Sequence, residues 1–262
     1  MFSNIKLALV ITIIFVATVL YVWMEVNVPA VRKVNIPLVG FPEEIKIVHI
    51  TDAHGLGMPN DGRLMRAIRS FAPDVIALTG DMIDEATTDF APVLTAVTDL
   101  SAIAPVLFVP GNHERANLKG EVFIRSLSTA GATVLLNDAS LINGLSVCGV
   151  DDINFSLHDI PAALAVFGRC DILLSHSPEI YKSINEFNIP LVLAGHTHGG
   201  QVRLPIIGAI FMPGGDIPKH LIRGLTKDGD TTFYVSVGLG TRLVPIRFMS
   251  RAEISLITVA SE

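Results

Sequence analysis

The chain has 262 residues, half of them apolar, and a formal charge of −6. That length supports one large core and leaves no room for a second full domain. An acidic chain without a Lys/Arg cluster lacks the footprint that a nucleic-acid partner requires, but bound divalent cations would still admit a small phosphate substrate.

Leu7 to Met24 is an uncharged stretch of 18 residues between Lys6 and Glu25. This is near the minimum length for a helix to span a bilayer, and Tyr21 and Trp23 lie where amphipathic rings favour headgroups. A cleaved signal peptide is the competing reading. Its apolar region is usually shorter, and Val28-Pro29-Ala30 is a poor cleavage site. Residues 1–25 therefore read as a retained, single-pass anchor in the cell (inner) membrane. Basic residues after the span (Arg32, Lys33, Lys46) outnumber those before it, which places the C-terminal domain in the cytoplasm. Three prolines make 26–43 an extended connector, with the folded domain at 44–262.

From Ile45 onward, short apolar runs alternate with helical patterns. Strands are predicted near 45–50, 75–79, 106–109, 133–136, 145–150, 171–175, 190–194, 233–237 and 253–259. Asp61 to Phe71 has apolar residues at helical spacing, with Asp61 as its N-cap. Further helices are predicted at 90–100, 121–130, 161–167 and 178–187. The order of elements predicts an α/β (mixed α+β) fold, a four-layer αββα sandwich of two stacked mixed sheets flanked by helices. Cys148 and Cys170 adjoin apolar runs and read as buried free thiols.

Chemistry-bearing residues stand at the ends of five of these runs. Asp52-x-His54 follows IKIVHI, Gly80-Asp81 follows DVIALT, and Gly111-Asn112-His113-Glu114 follows PVLFVP; His176 follows DILLS, and Gly195-His196-Thr197-His198 follows LVLA. Residues at the carboxyl ends of successive strands converge on one sheet edge. Asp52 and His54, two apart, are expected to share a strand face and reach one cation, and His196 and His198 repeat that spacing. A carboxylate at Asp81 can bridge two cations, Asn112 offers an amide oxygen and His176 an imidazole. Asp52, His54, Asp81, Asn112, His176, His196 and His198 are thus candidate ligands for two divalent ions, and their nitrogen and oxygen donors suit Mn, Fe, Zn or Co. Two cations ~3.5–4 Å apart can hold a hydroxide and clamp phosphate oxygens, so the pattern predicts a phosphoesterase. His113 is the candidate catalytic residue, donating a proton to the leaving oxygen or stabilising charge on the phosphate, with Glu114 orienting it. His49, His158 and His220 read as structural or surface residues, Arg203 and Arg242 as solvated, with contact to a substrate phosphate as their alternative, and Asp84 and Glu85 as solvating or capping their loop.

The series resembles the calcineurin-like metallophosphoesterases, whose blocks are D-x-H, G-D, G-N-H-[DE], an isolated H and G-H-x-H. Every block is present, and the resemblance covers essentially all of residues 45–260. It implies that Asp52, His54, Asp81 and His198 hold one metal, and Asp81, Asn112, His176 and His196 the other. The blocks at 149–152, 195–205 and 236–240 are similar to those of membrane-anchored bacterial phosphoesterases of about this size. That subgroup includes enzymes cleaving UDP-2,3-diacylglucosamine in lipid A synthesis, so a lipid-linked or nucleotide-linked phosphodiester or pyrophosphate is the implied substrate. Thr51 and Ala53 depart mildly from the subgroup's usual S-D-L-H. A non-catalytic metal-binding scaffold and a phosphomonoesterase or protein phosphatase are the alternatives on this fold.

Leu204 to Ile217 is strongly apolar for a loop with three glycines. It is expected to fold back and pack. The alternative is an apolar surface formed by Ile206, Ile207, Ile210, Phe211 and Met212 beside the metals, dipping into the bilayer or meeting acyl chains.

Overall fold

The computed structural model describes residues 2–39, 41, 44–56, 62–211 and 217–261. Helix α1 (Phe2–Asn27) leads into strands β1 (Ala30–Pro37) and β2 (Ile45–Ile50). Next come α2 (Arg63–Phe71), β3 (Val75–Thr79), α3 (Ala91–Ser101) and β4 (Val106–Val109). Helices α4 (Asn112–Ala116) and α5 (Gly120–Thr129) precede β5 (Ala132–Val134), β6 (Asp138–Ile142) and β7 (Leu145–Gly149). They are followed by α6 (Ile160–Ala165), β8 (Ile172–Leu174) and β9 (Leu191–Ala194), then a hairpin of β10 (Val202–Leu204) and β11 (Gly208–Phe211). The chain ends with β12 (Gly224–Asp228), β13 (Thr231–Val235) and β14 (Glu253–Ala260).

Two six-stranded mixed sheets are stacked, in the orders β1-β14-β2-β3-β4-β5 and β12-β13-β9-β8-β7-β6. Their facing side chains, among them Ile47, Ala77, Val147 and Leu193, form the central core. The outer face of the first sheet packs on α2, α3 and α5 through Leu64, Ile68, Val97 and Phe123. The outer face of the second is covered by α6 and a 3₁₀ turn at Pro178–Lys182, through Ile160, Ala163 and Ile180. Strands such as VIALT and LVLA are buried along their whole length. Both faces of each sheet are covered, so these strands are continuously apolar instead of alternating. The predicted four-layer arrangement is the one observed.

The short helix α4 and strands β6, β10, β11 and β12 are additions to the expected elements, and two expected elements differ. Residues 30–37, read as part of a connector, are β1 and pair in parallel with β14 from Ala30↔Glu253 to Pro37↔Ala260. β1 is an edge strand, where a proline without an N–H is tolerated. The helix predicted at 178–187 stops at Lys182, because the Ser, Asn and Phe of SINEFN compete poorly for helical backbone. Asp61, the expected N-cap of α2, lies outside the described residues. Cys148 and Cys170 are both buried and free.

Candidate metal centre

β2, β3, β4, β8 and β9 all deliver their carboxyl ends to one edge of the sandwich. Asp52, His54, Asp81, His176, His196 and His198 are buried there together, with Asn112 half-buried beside them. Asp52, His54, Asp81, His196 and His198 all adopt positive φ, between 50° and 69°. Non-glycine residues rarely do so, and such strain gathers where the surroundings enforce a functional geometry.

These turns correct the strand-face expectation. Asp52 and His54 lie beyond the end of β2, and a left-handed turn, not the pleat, brings both side chains to one point. His196 and His198 diverge. His198 joins Asp52 and His54, whereas His196 joins Asp81 and His176. In the first group His54 Nε2 is 3.0 Å from His198 Nε2, and His198 Nε2 is 3.5 Å from Asp52 Oδ1. In the second, His176 Nε2 is 3.0 Å from His196 Nδ1, 3.1 Å from Asp81 Oδ2 and 3.2 Å from Asn112 Oδ1. A third overlapping group joins His54, Asp81 and His113, so Asp81 lies between the two outer clusters.

The donor set fits divalent cations. Ligands about 2.0–2.2 Å from one ion must lie roughly 3–3.5 Å from each other, which is the spacing found within each outer group. The buried Nε2 atoms of His113 and His196 have no hydrogen-bond partner among the described residues. Such orphaned atoms are costly unless an ion or a substrate takes them up.

Electrostatics separate the residues further. Burial disfavours charge on His176, but the carboxylates of Asp81, Asp52 and Asp152 overcome it and raise its pKa to about 10. Burial and the charge of His176 push His196 down to about 3. Burial would raise Asp81, yet His176, His54 and His113 hold it well below the usual carboxylate range. The site therefore contains a firmly ionised central carboxylate, the state a bridging ligand needs.

Glu114 does not orient His113 by a side-chain hydrogen bond. Its carboxylate accepts the backbone N–H groups of Asp81 and Gly111 on one oxygen and those of Met82 and Ile83 on the other, at 2.7–3.1 Å. It thereby clamps the loop after β3 to the loop after β4. Burial, followed by the nearby Asp81, raises its pKa to about 7 against the pull of those amides. A Cβ at Gly80 (φ +77°) would lie 2.5 Å from the Gly111 nitrogen, so only glycine allows this approach. His113 is held instead through its backbone N–H, which donates to Asp81 Oδ1 at 2.8 Å, and through Nδ1, which accepts the Glu85 N–H at 3.3 Å. With Nδ1 accepting, the ring proton of neutral His113 sits on Nε2, which faces Asp81 at 3.9 Å.

Three supporting residues were not identified from sequence. Asp84, read as a loop solvator, accepts from His54 Nδ1 at 2.7 Å and also lies 3.4 Å from His113 Nδ1. Although burial disfavours charge on His54, this bond raises its pKa. Arg247, completely buried, donates to the carbonyls of Val237, Gly238, Gly240 and Ser250 and lies 3.3 Å from His198 Nδ1. It fastens the 237–240 loop under the site, where Gly240 N–H reaches the Asp52 carbonyl at 2.6 Å. Asp152 is buried near His176, with Oδ2 lacking a partner among the described residues. His49, His158 and His220 lie outside the three groups, bonded to Thr79, Ser183 and Asp228 respectively.

A family model described as calcineurin-like phosphoesterase matches residues 45–200. An uncharacterized metallophosphoesterase of Bacillus subtilis, YkuE, is 31% identical over 229 residues, covering 82% of this chain and 79% of that one. A phosphodiesterase of Escherichia coli, YaeI, is 31% identical over 193 residues, covering 71% of this chain and 70% of that one. An uncharacterized metallophosphoesterase of Helicobacter pylori is 30% identical over 240 residues; this chain, 87% covered, spans 63% of its length.

Proposed function

The chain belongs to the calcineurin-like phosphoesterase family and is a metal-dependent enzyme acting on phosphoester bonds; from that premise we propose that it is a membrane-anchored, dinuclear phosphodiesterase. The observation that carries this reading is the pair of ligand groups on either side of Asp81. In the proposed arrangement Asp52, His54 and His198 would hold one cation, and Asn112, His176 and His196 the other, with Asp81 available to both. Bound cations supply Lewis acidity toward phosphoryl oxygens and lower the pKa of water.

The protein residues supply the remaining chemistry. Asp84 fixes the His54 ring through Nδ1, as the usual outer partner of a ligating imidazole does, and leaves Nε2 beside His198 Nε2. Glu114 locks the Asp81 and Asn112 loops at a fixed separation. His113 directs Nε2–H toward Asp81 Oδ2, 3.9 Å away, where it would donate to a bound phosphate oxygen as charge develops there or protonate the leaving oxygen. Arg242, read from sequence as solvated, adds to the lowering of the pKa of His113 after burial and His54, and of His196 after burial and His176, and we assign it to a second phosphate oxygen.

We assign residues 1–25 to a retained inner-membrane anchor and 44–262 to the catalytic domain, on the cytoplasmic side. Asn4–Asn27 is long and apolar enough to cross a membrane, with a mean hydropathy of 2.6. Retention is supported by its last turn, where Glu25 is buried and accepts the Ser250 N–H at 2.9 Å. Cleavage would remove that partner. The proposed substrate is a phosphodiester or pyrophosphate, lipid-linked or nucleotide-linked, with UDP-2,3-diacylglucosamine a specific candidate. The test is to assay detergent-extracted, metal-loaded full-length chain against bis-p-nitrophenyl phosphate, p-nitrophenyl phosphate and UDP-2,3-diacylglucosamine. The diester should be cleaved much faster than the monoester. Faster monoester turnover, or none on any of the three, would contradict the assignment.

A further inference from the structure

The apolar 204–217 segment was expected to fold back and pack. Among its described residues, however, Ile206, Ile207 and Ile210 are exposed, Ile206 completely; Met212 and the Phe211 side chain lie outside the description. The adjacent 241–249 loop also turns Leu243, Val244 and Ile246 outward. These two apolar tips have a common root. Phe248 exchanges backbone hydrogen bonds with Gln201 and Arg203 at 3.0 Å, and the Gln201 side chain holds the backbone of Arg242 and Val244.

The same root receives the end of α1. The Tyr21 ring packs edge-on against Phe248 at 5.4 Å, Glu25 takes the Ser250 N–H, and the Ala252 N–H donates to the Glu25 carbonyl at 2.9 Å. A helix that leaves a bilayer at Glu25 thus delivers both tips beside its exit point. Charge agrees with that placement. Arg203 and Arg242 arise from these two segments, and Arg223 and Arg251 join the same root by donating their side chains to the carbonyls of Met249 and Val28. Apolar side chains among arginines, on a chain of net −6, match an anionic headgroup layer over acyl chains.

We propose that the β10–β11 hairpin and the 241–249 loop form a second, monotopic contact with the bilayer surface, holding the metal centre against the headgroup plane. The metal centre is joined to this surface directly, since Ser250 Oγ donates to the His198 carbonyl at 2.9 Å and Arg247 reaches His198 Nδ1. The proposal rests on reading α1 as a retained anchor. Substrates whose scissile phosphate stands at the membrane surface are then favoured over soluble ones.

The test places an environment-sensitive fluorophore at Ile206→Cys, Leu243→Cys and, as control, Ser128→Cys on the solvent face of α5. The native Cys148 and Cys170 are buried. Full-length protein is reconstituted into phosphatidylethanolamine–phosphatidylglycerol vesicles with brominated acyl chains. Fluorescence should be lost at 206 and 243 and retained at 128. Retention at all three would overturn the contact, as would release of the protein from vesicles by alkaline carbonate, which would also remove the anchor. Neither readout depends on turnover, so their failure is distinct from failure of the catalytic reading. In a second arm, Ile206→Ser/Ile207→Ser should lower hydrolysis of a vesicle-held phosphodiester roughly tenfold, the scale expected for withdrawing two partly immersed isoleucines. Hydrolysis of soluble bis-p-nitrophenyl phosphate should not change; an equal loss on both would overturn the proposal.

Discussion

Ser250 donates its backbone N–H to the Glu25 carboxylate and its hydroxyl to the backbone carbonyl of His198, each at 2.9 Å. One residue therefore links the end of the apolar helix to a candidate metal ligand. Glu25→Ala should leave a buried N–H unpaired, at a cost of about 1–3 kcal/mol. For a chain of this size that is a fall of several degrees in the thermal midpoint, roughly 2–4 °C per kcal/mol. An unchanged midpoint would mean that the end of α1 is not part of the folded domain.

Asp84 tests the support of one cation independently of its ligands. Asp84→Asn weakens the acceptor for His54 Nδ1 without removing any proposed ligand. Metal affinity measured by competition with a chelator should fall about 10–100-fold, the usual effect of losing an outer carboxylate partner. Excess metal should restore most of the activity. Irrecoverable loss at saturating metal would instead give Asp84 a role in the reaction itself.

Gly238 (φ +69°) tests how tightly the 237–240 loop supports Asp52. A Cβ there would lie 2.6 Å from the Asp52 Cβ, whereas at Gly144 (φ +80°) it would meet nothing within 4 Å. Both alanine variants incur the left-handed penalty of about 1–2 kcal/mol. Only Gly238→Ala should also displace Asp52 and reduce metal binding. Equal metal content in the two variants would contradict the contact.

His49 gives a pH signature away from the metal ligands. It is fully buried against Thr79 Oγ1, and burial lowers its pKa from 6.5 to about 3. Between these values the unfolded chain binds a proton that the folded chain does not, so stability falls as pH falls. Metal-free wild type should therefore lose stability more steeply than His49→Gln across this window, by up to about 1.4 kcal/mol per pH unit. Parallel pH profiles would show that His49 titrates normally in the fold.

The residues gathered at the sheet edge were readable because each ends a continuous apolar run, and buried strands impose that pattern wherever both faces are covered. What could not be read depends on contacts distant in sequence. β1 alternates weakly and lies at an edge, so its pairing with β14 leaves little trace in composition. Arg247 acts through carbonyls of a loop several residues upstream and beneath His198, and nothing adjacent to it in PIRFM marks that role. Asp84 lies close to Asp81 and looked like a loop residue, because its partner, His54, belongs to another strand end. The split of His196 from His198 was implied by the family resemblance alone; it follows from positive φ at both, which a spacing of two in an ideal strand does not suggest.

The most direct test of the two-metal account is to strip the full-length protein of metal and titrate it with Mn²⁺ while following bis-p-nitrophenyl phosphate hydrolysis. Activity should be absent at the start and reach its plateau at two equivalents per chain. His113→Ala should bind the same two equivalents with kcat lower by about 10²–10⁴. Undiminished turnover in the stripped protein, saturation at one equivalent, or a His113→Ala variant as fast as wild type would contradict it.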